Sequence, residues 1–437
     1  MPTHQNDKGH EQPQHQLKRH LDWTAKQGRI LTDNGNALSY YSEENGFAFA
    51  EEELPHYHLE RGNSHTVFRG WAREKFDEVD TFIPASINHL MEYVKVKRLH
   101  GSPIVGAWNR PLFTGKWEHS TDSDEVVYNI QTGTLFVDLR IPRSKPIVLW
   151  ENLGKGLGGS TNWQDSRQIL ESMTDEDLRL YSRQHVFWGF SVLTKESSTN
   201  ESHLMKKLPI CTRHHCIDWN YVPNRPRPRP NKWYIEEKPE EEGHCNEWKE
   251  WSYSCDENGQ CYYWENWDRV EGDEKGEGLR LALRKRVPEK EATNNSLDGI
   301  LVVVGDHFNY ILSRQLTGRE TSYPQVNNLV EMVDNAIENG DRHTAVSYLG
   351  GHGTISSGWK IDTALQPWRH NMNVFDCVGS VDSKSNGLKV KIAADGPSFF
   401  EWEVLIGQTV WDIYESSFKD ANVLEALMNG NGSPSRL

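Results

Sequence analysis

The chain has 437 residues and a formal net charge of −15, with 36 % hydrophobic and 25 % charged residues. That acidic balance excludes a dominant nucleic-acid surface, which needs a basic field to neutralise phosphates. No run approaches the ~20 apolar residues of a membrane span, and Met1-Pro-Thr-His-Gln-Asn-Asp-Lys8 lacks the apolar core of a secretory signal. The expectation is a soluble, cytoplasmic protein whose six Cys are ordinary thiols, and whose sequons at Asn200, Asn294 and Asn431 stay unmodified.

Residues 1–35 are rich in His, Gln, Lys and Asp and read as a disordered arm. Residues 36–99 read as an irregular extension with one helix over 86–97, where Ile87, Leu90, Met91 and Val94 recur at helical spacing and Ser86 caps the start. From Ile104 the pattern changes to strands. They are predicted at 104–113, 126–131, 134–141, 185–193, 209–220, 232–235, 247–254, 260–270, 279–285, 299–305, 308–312, 345–350, 354–360, 387–392 and 399–405. Helices are predicted after the N-cap Thr174, over Asn327–Glu338 and over Val423–Met428.

Many short strands between turn residues point to a mainly β protein. We read an antiparallel, lipocalin-like barrel with a few helices and disordered termini. Gly299-Ile-Leu-Val-Val-Val304 is apolar on both faces and must be covered on both sides. The polar stretch Pro288–Ser296 is therefore not expected to divide two domains. One barrel assembly is expected over 100–415, followed by a short helix and tail at 416–437. Gly350-Gly-His-Gly353 reads as a hairpin turn, and Gly154–Gly159 as a mobile loop at a barrel mouth.

Side chains alternate faces along a strand, so the strands can be sorted into faces. Leu135, Val137, Leu139 and Ile141 form one aliphatic face, leaving Phe136, Asp138 and Arg140 on the other. If the aliphatic face packs outward, Asp138 and Arg140 point into the barrel; if it is the barrel core, they point to water. Tyr263, Glu265, Trp267 and Arg269 share a face. Cys211, Arg213, His215, Ile217 and Trp219 share another, with Thr212, His214, Cys216 and Asp218 opposite. Asn258-Gly259 suits a two-residue hairpin loop, which places Glu250 opposite Trp267 and Ser252 opposite Glu265, and disfavours a Cys255–Cys261 disulfide. The cluster Cys211, His214, His215, Cys216 is split between two faces, so no metal site is expected, and no cofactor motif is present.

Three segments carry a resemblance. Val127-Tyr-Asn-Ile-Gln-Thr-Gly-Thr-Leu-Phe-Val-Asp-Leu-Arg-Ile-Pro142 resembles a WLQTxSLYxDLRIP-type motif of uncharacterised bacterial and algal proteins. Cys211–Asp218 and Tyr263–Arg269 resemble two further strands of those proteins, in the same order. The chain departs from the motif at Asn129. More weakly, Asp298–Gly305, Leu312-Ser313 and Trp402-Glu-Val404 resemble the fungal Hri family of casein-kinase-interacting proteins. These resemblances imply a calycin-type barrel over roughly residues 104–405 and imply no activity.

Three functional readings stay open. The first is a barrel binding a small, partly apolar ligand with a carboxylate or phosphate group, through Asp138, Arg140, Tyr263, Glu265 and Trp267. The second is an isomerase, cyclase or lyase on the same barrel, with His214 or Asp218 as base and Glu265 as acid. The third is an interaction scaffold, in which the extended Pro223–Pro230 run would engage a protein partner; a rigid loop between strands is its alternative.

Overall fold

The computed structural model describes residues 104–115, 125–133, 135–142, 173–175, 178, 185–194, 208–218, 231–239, 245–253, 263–271, 279–285, 299–312, 329–342, 349–366, 369–378, 388–392, 402–406, 409–418 and 420–429. The arm, the 36–99 extension with its predicted helix, residues 154–159, Pro223–Pro230, Cys255, Cys261, the 288–296 stretch and the tail beyond Asn429 lie outside the described residues. Among the described residues no helix is long and apolar enough to cross a membrane.

Eight antiparallel strands run in sequence order round a closed barrel. They are β1 (Gly106–Gly115), β2 (Glu125–Gln131), β3 (Leu135–Pro142), β4 (His185–Thr194), β5 (Ile210–Asp218), β6 (Asn231–Pro239), β7 (Cys245–Ser252) and β8 (Tyr263–Arg269). Closure is the pairing of β1 with β8, interrupted by an irregularity between Asn109 and Leu112. Closing a barrel leaves no edge for later strands to join. The remaining strands therefore lie outside the barrel and cap its outer wall. They are β9 (Arg280–Lys285), β10 (Gly299–Val304), β11 (His307–Leu312), β12 (Leu349–Thr354), β13 (Lys360–Ala364), β14 (Leu388–Ile392), β15 (Trp402–Ile406) and β16 (Thr409–Ser416). Together they form a second antiparallel sheet in the order β13-β12-β11-β10-β9-β16-β15-β14.

The two sheets share a core. Val137, Leu139, Val186 and Trp188 on the outer barrel wall pack with Ala282, Ile300, Val302, Val304 and Ile311 of the second sheet. Helix α1 (Leu329–Glu338) adds Met332, Val333 and Ile337 to the same cluster. The far face of the second sheet, with Leu283, Leu301, Val303, Phe308 and Trp411, is covered by α2 (Val374–Val378) and α3 (Ala421–Met428), the latter capped by Asp420 accepting from the Asn422 N–H at 2.8 Å. All six residues of β10 are buried, because the barrel lies on one side and this second cluster on the other.

Polar contacts fix the seam. Asn309 donates to the carbonyls of Tyr128 (2.9 Å) and Val137 (3.0 Å). Glu415 accepts from Thr132 Oγ1 at 2.6 Å and from the Gly133 N–H at 3.1 Å. His352 stacks flat on Tyr128, with ring centroids 3.7 Å apart. Its Nδ1 meets Asp362 at 2.8 Å, its Nε2 meets His307 Nδ1 at 3.1 Å, and His307 Nε2 donates to the Glu271 carbonyl at 2.7 Å. The carbonyl and the carboxylate each claim one ring proton, so the contact between the two rings needs a third.

Two turn expectations are corrected. Gly350–Gly353 is not a turn but the buried middle of β12. A Cβ on Gly353 would lie 2.1 Å from the Lys360 carbonyl oxygen and 2.5 Å from Phe308 Cζ, and one on Gly350 would crowd Val186 of the barrel. The glycines there admit close neighbours on both faces rather than a change of direction. The reversal comes at Ile355–Gly358, where Gly358 has φ +81, so the predicted strand 354–360 is a turn between the last residue of β12 and the first of β13. β13, β16 and α2 were not anticipated. In β16 the buried Trp411 and Ile413 alternate with less buried neighbours, the pattern of a half-buried strand.

Because β9 sits between β10 and β16, a fragment beginning at residue 295 loses an interior strand of its sheet. A 295–437 fragment is expected to show no cooperative thermal transition. A sharp melt with native-like near-ultraviolet dichroism would show that β9 is dispensable.

Candidate functional site

The aliphatic face of β3 is glued to the second sheet, so its polar face turns inward. Asp138 is fully buried inside the barrel. It accepts from Arg140 Nε at 2.7 Å and from Asn129 at 3.2 Å, and Arg213 Nη1 lies 3.6 Å away. Burial pushes the Asp138 carboxyl up, but the guanidiniums of Arg140, Arg213 and Arg110 outweigh it and hold the group below the usual carboxylate range. Arg213 lies between the rings of Phe136 (4.1 Å) and Trp233 (4.7 Å), and its Nη2 donates to Gln131 at 3.0 Å.

A second cluster faces the first. Glu265 on β8 pairs with Arg110 on β1 at 2.8 Å, both nearly fully buried. Its direct cross-strand partner on β7 is Glu250, which accepts from the Tyr263 hydroxyl at 2.9 Å. Burial first, then the charge of Glu265, pushes Glu250 up to about 8. Burial and the same two carboxylates raise Tyr263 well above its ordinary value.

Tryptophans line the rest of the interior. Trp248 and Trp267 stack at 5.4 Å, Trp108 meets Trp248 edge-on at 6.0 Å, and Arg269 lies 4.2 Å over Trp108. The indole N–H groups of Trp233, Trp248 and Trp267, with Arg213 Nε, Gln131 Nε2, Asn129 Oδ1 and Glu265 Oε2, are buried without a hydrogen-bond partner among the described residues. Buried polar atoms left this way cost free energy, so a set of them facing one interior suits a polar ligand. Cys211 on the same wall is pushed up to about 12 by burial, which keeps it a thiol and unsuited to nucleophilic attack.

Asp138, Arg140, Tyr263, Glu265 and Trp267, singled out from the sequence, thus share one interior. The side chains of His214 and Asp218 lie outside the described residues; in the backbone register they pair with Phe190 and Phe187. A bulge between Trp188 and Gly189 moves Ile217 onto the outer cluster beside Cys216, correcting the face assigned by simple alternation. Cys211, Cys216 and Cys377 are free thiols, and no group of three metal-ligating residues occurs among the described residues.

Glu250, Arg110 and Arg213 were not singled out. The β7–β8 pairing runs two residues away from the two-residue hairpin expected at Asn258-Gly259: Glu250 opposes Glu265 and Trp248 opposes Trp267. An even shift preserves the faces but changes every partner. Only that shift brings the two carboxylates together, although Trp248-x-Glu250-x-Ser252 already marked the face.

No family model matches the chain, and no curated protein matches it. Among solved structures, an uncharacterised protein of Saccharomyces cerevisiae is similar with a TM-score of 0.35 and 12 % identity, over 71 % of this chain and 98 % of that one. A likeness at that level carries no argument about fold type or function.

Glu250 binds its proton more tightly in the fold than its ordinary value of 4.5 allows. Stability linked to it is therefore full below pH 4.5 and declines as pH rises to about 8. Glu250→Gln keeps an acceptor for Tyr263 and does not titrate. Urea denaturation should find this variant close to the parent at pH 5 and roughly 1–4 kcal/mol more stable at pH 8. An equal difference at both pH values would mean that Glu250 ionises normally.

Proposed function

We propose that the barrel is of the lipocalin type and binds a small, partly apolar ligand bearing a carboxylate or phosphate group. One observation carries this reading. Guanidiniums and carboxylates converge on an interior otherwise walled by tryptophan, with several polar atoms there unmatched. An eight-stranded barrel with strands in sequence order can hold one small ligand, and pockets of this kind combine apolar walls with a few polar anchors. The segments resembling the bacterial and algal motifs are β2–β3, β5 and β8, which supply Asp138, Arg140, Arg213, Tyr263 and Glu265. Arg213 and Arg140 would receive the anionic group, and Trp248 and Trp267 the apolar part.

Hexanoate, hexyl phosphate and hexanol, titrated while tryptophan fluorescence is followed, provide the test. At least one anion is expected to give a saturable change. Arg213→Gln should weaken it tenfold or more, and Arg140→Ala should weaken it as well. No saturable response to any of the three would overturn the reading.

A proton-transfer reaction in the same interior is the second reading, favoured by the juxtaposition of Glu250 and Glu265. Glu250 as the acid would donate to a carbonyl oxygen, while Glu265 would take a proton from the adjacent carbon, giving an enol. With 2-oxohexanoate in D₂O this predicts deuterium at C3 faster than in buffer, abolished by Glu265→Gln. Exchange at the buffer rate would leave binding alone.

A further inference from the structure

We infer that the barrel interior recognises a hydroxy acid: a carboxylate with an apolar tail and a hydroxyl on the first or second carbon from the carboxylate. This rests on the binding reading above and names its ligand class.

Asn129 and Gln131 stand two residues apart on one face of β2, which places their Cα atoms about 7 Å apart. That face is the inner one. Val127, two residues before Asn129, joins the cluster of Trp233, Trp248 and Trp267, whereas Ile130 packs outward with the second sheet. Both amides are fully buried.

An amide has a donor end and an acceptor end, and its charged neighbours decide which end is left over. The ionised carboxylate of Asp138 can only accept, so Asn129 must turn its nitrogen towards it, as it does at 3.2 Å. A guanidinium can only donate, so Gln131 must turn its oxygen towards Arg213, as it does at 3.0 Å. The free ends are therefore fixed and opposite in kind. Asn129 presents a carbonyl oxygen and Gln131 presents an amino group. Neither free end has a hydrogen-bond partner among the described residues.

The amino end of Gln131 stands among other donors. Arg213 Nε and the indole N–H of Trp233 are also buried without a partner among the described residues. Trp233 lies 4.7 Å from the guanidinium that holds Gln131. Donors from β2, β5 and β6 gathered round one guanidinium suit a carboxylate, which only accepts.

Asn129 Oδ1 calls for the converse, a donor. A simple carboxylate brings acceptors alone and leaves that oxygen buried and unmatched, which costs free energy. A hydroxyl supplies the missing proton. An ammonium moved out of water would need a carboxylate of its own, and Asp138 is already engaged by Arg140 and Arg213. Adjacent positions on one strand face require the ligand's donor and acceptor to lie close together. A hydroxyl one or two carbons from the carboxylate meets that requirement. The apolar tail is left to the stacked rings of Trp248 and Trp267.

The test titrates the full chain with hexanoate, each enantiomer of 2-hydroxyhexanoate and 3-hydroxyhexanoate, and the matching fluoro acids. Hexyl phosphate and hexanol run alongside, and tryptophan fluorescence is followed. One hydroxy acid should bind roughly tenfold or more tighter than hexanoate, with its two enantiomers distinguished. Its fluoro analogue is polar but donates nothing, and should bind like hexanoate. These comparisons use the unaltered protein, so they stand whether or not a variant folds. Asn129→Leu should abolish the preference for the hydroxyl while hexanoate still binds. Hydroxy acids no tighter than hexanoate, an equal gain from the fluoro acid, or a preference that survives Asn129→Leu overturns the inference while leaving a binding barrel. Silence from every probe overturns the binding reading itself.

Discussion

Asp138 and Leu139 are neighbours that must go to opposite environments, and the barrel is organised around that requirement. Leu139 joins the cluster sealed by the second sheet, while Asp138 is driven into the barrel with no exposure to solvent. A carboxylate there survives only with cations beside it. Arg140 reaches it from the same strand face, and Arg213 reaches it from β5 between two aromatic rings. The second sheet thus contributes to the interior without touching it: by covering the outer wall of β3, it commits the polar face inward.

The same logic sets the chemistry on the opposite wall. Arg110 is committed to Glu265, and among the described residues the hydrogen-bond donor to Glu250 is the neutral Tyr263 hydroxyl; burial and the charge of Glu265 push the Glu250 carboxyl up to about 8. Tryptophans on the remaining surface exclude water and strengthen each of these interactions.

The seam between the sheets carries directional polar contacts beside its apolar cluster. Asn309 reaches two barrel carbonyls, Glu415 clasps the turn after β2, and the Asp362–His352–His307 chain runs across to the Glu271 carbonyl beyond β8. Hydrophobic contact alone would allow the sheets to slide. These directional bonds select one docking of the second sheet on β2 and β3, and hence the orientation of the strand bearing Asp138.

Local pattern was enough for much of this. Period-two alternation revealed the two faces of 135–141 and of 263–269, and the doubly apolar run at 299–304 demanded cover on both sides, which it has. These depend on neighbours in the chain, and a sequence records neighbours directly. Other features depend on partners distant in the chain. Whether Asp138 met water or protein was decided when a separate sheet covered Leu139. Whether Glu250 met Trp267 or Glu265 turned on a two-residue difference in pairing that alternation cannot detect, since both registers leave the same faces inward. The glycines of β12 read as a turn because the rings of Phe308 and Tyr310, which need their space, come from a different strand. Sequence by itself determined the β character and the division of polar from apolar faces; only tertiary structure decided which face became the interior and which charges were left to meet there, because both are set by cross-strand register and by contacts between segments far apart in the chain.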